Sequence, residues 1–346
     1  MRKFILIIVL FFGAAFVYLS FGELQIILQT LRQGNFWFIL IALVIQLGWY
    51  VIAGLIFRFI YLLLGIDETI YQLSLLVAAA NFVNIVTPSA GMGGMAVFIS
   101  NANRRGYSRG KITIASMLSL LFDYVAFLIV LALAWIVLIR RNDLNASQIA
   151  ASTIILIIAV SLGFLMWLGS RSAVALGNVL AQMARMVNRI VYPVLHREYL
   201  SETRAHQFAH EMAKDLRSLP ERPRSLAVPL LYAFANKCLM MLILVSAFLA
   251  FQVPFSAGTI IGGFAISYLF LIVSPTPSGI GIVEGVMPLA LSSLGVPWSQ
   301  AVLITLAYRG ITFWIPLAIG ALALRLLERQ RLAVPKTEVK EHSLPD

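Results

Sequence analysis

The sequence predicts an all-α, polytopic membrane protein with six full spans and two re-entrant hairpins broken by Pro/Gly, arranged as an inverted repeat. Three observations predict it. The chain of 346 residues is 60% hydrophobic and 12% charged, with a mean hydropathy of +0.91, whereas an ordinary soluble domain carries about 25% charged residues. Mostly apolar runs of about 18 or more residues recur, each long enough to cross a bilayer core of roughly 30 Å. Two further pairs of apolar runs are shorter, and a Pro/Gly cluster splits each pair. A membrane β-barrel would instead show alternating segments of about ten residues.

The elements follow in order. The apolar segments fall at about 4–21, 36–57, 70–86, 88–100, 113–139, 148–170, 225–251, 259–274, 280–294 and 299–324. The first, in "MRKFILIIVLFFGAAFVYLSFGE", has a basic start but is long for a signal peptide and lacks a clear small-x-small cleavage site. It reads as a retained span. Segments 70–86 and 88–100 flank "TPSAGMGG", with Pro88, Gly91, Gly93 and Gly94. Segments 259–274 and 280–294 flank "SPTPSGIGIVEG", with Pro275, Pro277, Gly279 and Gly281. Proline removes a backbone donor and ends a helix, and glycine admits φ > 0 and close approach. Freed backbone groups are very costly in lipid, so such breaks survive only where protein or a wet cavity surrounds them.

Charge sets the expected orientation. Segment 101–112 carries Arg104, Arg105, Arg109 and Lys111 with no acid, and the loop 171–224 has nine Lys/Arg against five Asp/Glu. Basic loops belong in the cytoplasm, which places both termini there, with the chain in the plasma membrane. The first hairpin then enters from the cytoplasmic side and the second from the opposite side; Arg140 and Arg141 fall outside and are discordant. The net charge of +11 follows these loops and carries no basic-aromatic module that would read nucleic acid. It favours contact with anionic inner-leaflet lipids instead.

The halves correspond. "TPS" occurs at 87–89 and at 276–278, an offset of 189, and Gly106 and Gly295 share that offset. Each half reads span, broken hairpin, span, over 36–139 and 225–328. In transporters an inverted repeat of this kind places a site at mid-membrane where broken helices meet; coincidental helix breaking is the alternative. Together these segments make residues 1–327 one transmembrane domain, with a helical loop at 171–224 and a disordered cytoplasmic tail at 328–346. In the loop, Leu176, Val179, Leu180, Met183 and Val187 follow helical spacing. They fit a helix lying in the headgroup layer or one packed on the spans.

Four ionisable residues lie inside the predicted spans: Asp123, Lys237, Glu284 and Arg309. A charge at such depth costs about 2.5–3.5 kcal/mol on insertion scales and is usually paired or functional. Structural ion pairs are one reading. The other is a substrate path, in which Arg309 holds a phosphate through its fixed fork of donors and the N-terminus of the helix bearing Glu284 favours an anion. Asn81 and Asn84, one turn apart before the first break, either satisfy freed backbone groups or touch a headgroup. His196, His206, His210 and His342 lie outside the spans, and "HEMAKD" at 210–215 lacks the second histidine of a metalloprotease helix. No catalytic residue, metal site or cofactor motif is expected, and no Walker loop is present.

The strings "TPSAGMGG…RRGYS" and "SPTPSGIGIVEG…SLGVPW…LAYRGITFWIPLAIG" resemble the flippase-like family that includes the membrane domain of lysylphosphatidylglycerol synthases, the multiple peptide resistance factors. The resemblance covers about 4–327, and its more specific part joins the second break, Glu284, Tyr308-Arg309, Pro316 and Gly320. It implies movement of a lipid between leaflets but does not carry over a cargo; the partner expected here is a phospholipid or a polyprenyl-phosphate-type lipid. The resistance factors carry a soluble aminoacyl-transferase domain after the membrane part, and the chain is not expected to synthesise their lipid. The expected function is a lipid flippase. The alternatives are an intramembrane enzyme acting on a lipid carrier, resembling a glycosyltransferase, and a non-transporting scaffold.

Overall fold

The computed structural model describes residues 21–86, 92–140, 146–195, 201–216, 224–274 and 276–333. Among these residues all regular structure is helical. The first half comprises α1 (Phe21–Gln33), α2 (Phe36–Leu63), α3 (Ile70–Val86), α4 (Met92–Arg105) and α5 (Arg109–Arg140). Next come α6 (Ala146–Arg171), α7 (Ala173–Leu195) and α8 (Glu202–Leu216). The second half comprises α9 (Arg224–Ala250), α10 (Ala257–Val273), a 3₁₀ turn (Pro277–Gly279), α11 (Ile282–Ser293), α12 (Trp298–Arg309), a π turn (Gly310–Trp314) and α13 (Ile315–Ala333). Helices α2, α5, α6, α9 and the joined α12–α13 are long and apolar enough to cross a membrane. The chain is a multi-pass membrane protein. Its predicted span at 4–21 lies outside the described residues, apart from Phe21.

Local chemistry starts and stops these helices. Asn35 caps α2 by accepting from the Trp37 amide at 3.0 Å, and Ser256 caps α10 by accepting from the Thr259 amide at 3.1 Å. Gly65, Gly106 and Gly295 end their helices at positive φ. At 1.5 Å per residue α10 and α11 are about 26 and 18 Å long, short of a hydrocarbon core of roughly 30 Å. Helix α5 is about 48 Å long by the same rise, well over the thickness of that core.

The structure departs from the sequence reading in four places. Residues 21–33, which lie outside every predicted segment apart from Phe21, form α1, whose Ile27 and Thr30 are buried. The last segment is not one uniform helix, because the π turn interrupts it after Arg309. The loop 171–224 contains two helices, α7 and α8, packed on each other, and α8 also packs on α5 and α6. Leu176, Ala181 and Ala184 of α7 and Ala209, Met212 and Leu216 of α8 are buried, while Met183, Met186 and Val174 are exposed. Ser108 at the start of α5 donates to Asp215 at 2.6 Å and fastens that pair. Finally α13 continues to Ala333, past residue 327 where sequence ended the domain; 334–346 lie outside the described residues.

Helix packing gains little from the hydrophobic effect in lipid, so close van der Waals contact must supply it, and small residues permit that. Helices α2 and α9 form the central contact, α3 runs along α13, and α10 runs along α5. Gly54 of α2 lies against Ser74 of α3. Gly320 of α13 faces α3 so closely that a methyl group there would come within 2.6 Å of the Ala78 carbonyl oxygen. Exposed apolar side chains such as Ile154, Ile157, Val160 and Phe164 form the outer face of α6, as lipid contact requires. Gly320→Val should overpack the α3–α13 crossing and destabilise the protein by about 1–3 kcal/mol, read as a lowered thermal midpoint of the detergent-solubilised protein.

Candidate functional site at the helix breaks

The second break is built from the residues "SPTPSGIG" upward. Ser278 (φ 48°), Gly279 (φ 71°) and Gly281 (φ 77°) all occupy left-handed backbone. Such a conformation is easy for glycine and costs a serine about 1–3 kcal/mol, so its surroundings must enforce it. Ser274 and Thr276 satisfy the freed backbone. The Thr276 amide donates to Ser274 Oγ at 3.1 Å, and the Thr276 hydroxyl donates to the Ile280 carbonyl at 2.9 Å. Pro275 lies outside the described residues; Pro277 opens the 3₁₀ turn.

Glu284 then does two things. Its Oε2 accepts from the Gly281 amide at 2.8 Å, closing the N-terminus of α11. Its Oε1 accepts from Arg309 Nε at 2.5 Å. Arg309 Nη2 reaches the Ser278 carbonyl at 3.2 Å, and the guanidinium carbon lies 4.6 Å from the Phe313 ring centroid. The π turn directly after Arg309 sets that stacking partner, and π bulges often mark functional sites. Thus Arg309 holds the strained Ser278 carbonyl and the helix cap together. Its side chain is 3% exposed and that of Glu284 21%.

A second ionic group stands beside it. Lys237 Nζ of α9 donates to Asp123 Oδ1 of α5 and to the Tyr268 hydroxyl of α10, both at 2.5 Å. Tyr268 donates to Asp123 Oδ2 at 3.0 Å, and Lys237 Nζ lies 4.0 Å from its ring centroid. The Lys237 side chain is 1% exposed and that of Asp123 31%. A cavity of about 30 Å³, roughly the room for one or two waters, lies between the two groups. Tyr268, Ser267, Tyr308, Arg309, Thr312 and Met240 are among the residues lining it.

The predicted residues thus fall into two linked pairs, Arg309 with Glu284 and Lys237 with Asp123. Asn84 serves the first break: its Oδ1 accepts from the Gly94 amide at 2.6 Å, closing α3 against α4, and Gly94 leaves no room for a side chain there. Gly93 lies in the first turn of α4, whereas Pro88 and Gly91 lie outside the described residues. Asn81 donates to the Tyr50 hydroxyl oxygen, and that hydroxyl donates to the Pro316 carbonyl at 3.4 Å. Both asparagines therefore have structural partners. The end of α3 meets the second break, since Phe82, Ile85 and Val86 pack in one cluster with Ile280, Phe313 and Trp314.

Sequence reasoning missed Tyr268, Tyr308 and Asn236. Asn236 is 3% exposed and donates to the Trp49 carbonyl at 3.3 Å. A tyrosine within a short apolar helix is a signal, because its hydroxyl needs a partner in lipid; Tyr268 met that description. No group of three His, Cys, Asp or Glu that could hold a metal occurs among the described residues.

Removing one member of a buried pair strands its partner. Glu284→Ala should therefore cost about 3 kcal/mol, and adding Arg309→Met should recover most of that loss. Thermal unfolding of both variants in detergent checks the coupling; equal losses in the two would contradict it.

No curated protein matches the chain. The family model for the lysylphosphatidylglycerol synthase TM region does, over residues 4–320. That match takes in both hairpins and both charge pairs, and by it the chain belongs to the lysylphosphatidylglycerol synthase TM region family.

Proposed function

We propose that the protein is a lipid flippase, moving a phospholipid or a polyprenyl-phosphate-type lipid between leaflets. The observation that carries this reading is Arg309. It is buried, it lies on the wall of a cavity, and it sits where a broken helix turns back. A guanidinium in that place presents a fork suited to a phosphate, and the start of α11 adds amide donors. Glu284 accepts from the Nε of that fork and would yield to the headgroup. Asp123 and Lys237 extend the polar path toward α5 and α9. The reading assigns no catalytic step to the chain.

The same proposal takes the halves as an inverted repeat. Helices α2 and α9 begin at Phe36 and Arg224, α4 and α11 at Met92 and Ile282, and α5 and α12 at Arg109 and Trp298. Each hairpin packs along the long helix of the other half, α3 on α13 and α10 on α5. The proposed setting is the plasma membrane with both termini cytoplasmic. Arg104, Arg105, Arg109, Arg185 and Arg189 would then face anionic inner-leaflet lipids. A non-transporting scaffold is favoured by one observation, that both charge pairs are already satisfied internally.

Two measurements test this. In vesicles with fluorescent phosphatidylglycerol and a leaflet-selective quencher, the purified protein should speed lipid exchange, and Arg309→Ala should reduce it by at least about tenfold, the equivalent of about 1.4 kcal/mol. No exchange supports the scaffold, and exchange indifferent to that substitution removes Arg309 from the lipid path. In a Cys238→Ala background, single cysteines at the exposed positions Arg104 and Ser293 should label from opposite sides of the membrane. Labelling from one side would remove the inverted repeat.

A further inference from the structure

The two charge pairs share an asymmetry. The bases are the buried members, with side chains 1% (Lys237) and 3% (Arg309) exposed, while the acids Asp123 and Glu284 are 31% and 21% exposed. Fixed cations therefore lie inside and their counterions lie at the rim. Together the four groups sum to zero charge, the state a low-dielectric interior demands. A monoanionic phosphodiester bound at Arg309 would displace the Glu284 carboxylate and leave one uncompensated negative charge. Loss of a rim carboxylate's charge restores neutrality, and a proton is the agent that removes it.

We infer that the protein takes up one proton at Asp123 with each anionic lipid headgroup it carries; this rests on the flippase reading and adds its coupling ion. Asp123 is chosen over Glu284 on geometry. The Glu284 carboxylate is committed to the Gly281 amide, so its protonation would weaken the cap of α11. Asp123 bonds Lys237 and the Tyr268 hydroxyl, and those two contact each other at 2.5 Å. When an aqueous proton bonds to an Asp123 oxygen, Lys237 keeps the Tyr268 hydroxyl and ring face and becomes a free cation beside the cavity that Arg309 lines. Release of the headgroup on the far side returns Lys237 to Asp123, and that proton leaves to the water there.

The groups facing Asp123 are few. Lys237 comes from α9, Tyr268 from α10, and Tyr124 from α5 itself. Helix α6, also packed on α5, carries no acid, base or tyrosine before Arg171. On α2, Arg58 pairs with Asp67 and Tyr50 bonds the Pro316 carbonyl, and Tyr61 lies near Glu68 and Tyr107. The charges of α4 and α8 gather at the other end of α5, where Asp215 meets Ser108 and Arg109 bonds Asn103.

The test uses the full chain in vesicles of phosphatidylcholine that contain fluorescent phosphatidylglycerol and a trapped pH dye. An inward proton gradient should accelerate phosphatidylglycerol movement, and the lumen should acidify only when the anionic lipid is present. Because one anion moves with one proton, a potassium diffusion potential should leave the rate unchanged. Asp123→Asn should lose the response to the gradient, whatever its basal rate. The wild-type arms need no variant to fold. Lipid movement without lipid-dependent proton uptake, or a rate that follows the membrane potential, overturns the coupling and leaves the flippase reading standing. Absence of lipid movement overturns both.

Discussion

The contact between Arg309 and Glu284 organises the second half of the molecule. A helix cannot stop inside the bilayer unless its end groups find partners there. Here one carboxylate supplies both what the N-terminus of α11 lacks and what a buried guanidinium needs. The guanidinium in turn grips the Ser278 carbonyl. Left-handed backbone at a serine is held in place by that grip together with the Ser274–Thr276 hydroxyl network. Each part is costly alone, and the assembly is stable because the costs cancel against one another.

The same logic recurs on a smaller scale at the first hairpin. Asn84 closes the N-terminus of α4, as Glu284 closes that of α11. The neutral amide needs no cation, and at the offset of 189 residues Leu120 stands where α12 has Arg309. The two hairpins meet where Ile85 and Val86 pack beside Ile280 and Phe313. Tyr268 links the Lys237–Asp123 pair to the cavity, whose polar lining comes from α10, α12 and the π turn. Arg309 lines that cavity directly, and Lys237 reaches it through the Tyr268 hydroxyl.

Much of this architecture was legible in the sequence, for definite reasons. Long apolar runs specify α2, α5, α6 and α9 because lipid admits few alternatives. The string around Gly279 and Gly281 marks a break because two of its residues need φ > 0. Charges as isolated as Lys237 and Asp123 require neutralising partners, although spacing alone does not say which. What stayed hidden depended on contacts between distant segments. The π turn after Arg309 has no local composition cue; Gly310 there makes room for Ile27 of α1, more than 280 positions earlier. Helix α1 itself is too short and mixed to register as a span. The α7–α8 pair could not be distinguished from a helix lying on the membrane, because a buried alanine face such as Ala181 and Ala184 looks weakly apolar in sequence.

The central claim is that the broken helices shelter a wet, cationic pocket that accepts a lipid phosphate. The most direct measurement is a single-particle structure of the protein in nanodiscs containing phosphatidylglycerol. The account predicts headgroup density against the Arg309 guanidinium, with the Glu284 carboxylate drawn away from it. Continuous helices through residues 274–285, or Arg309 sealed from every lipid headgroup with the pair intact, would contradict it.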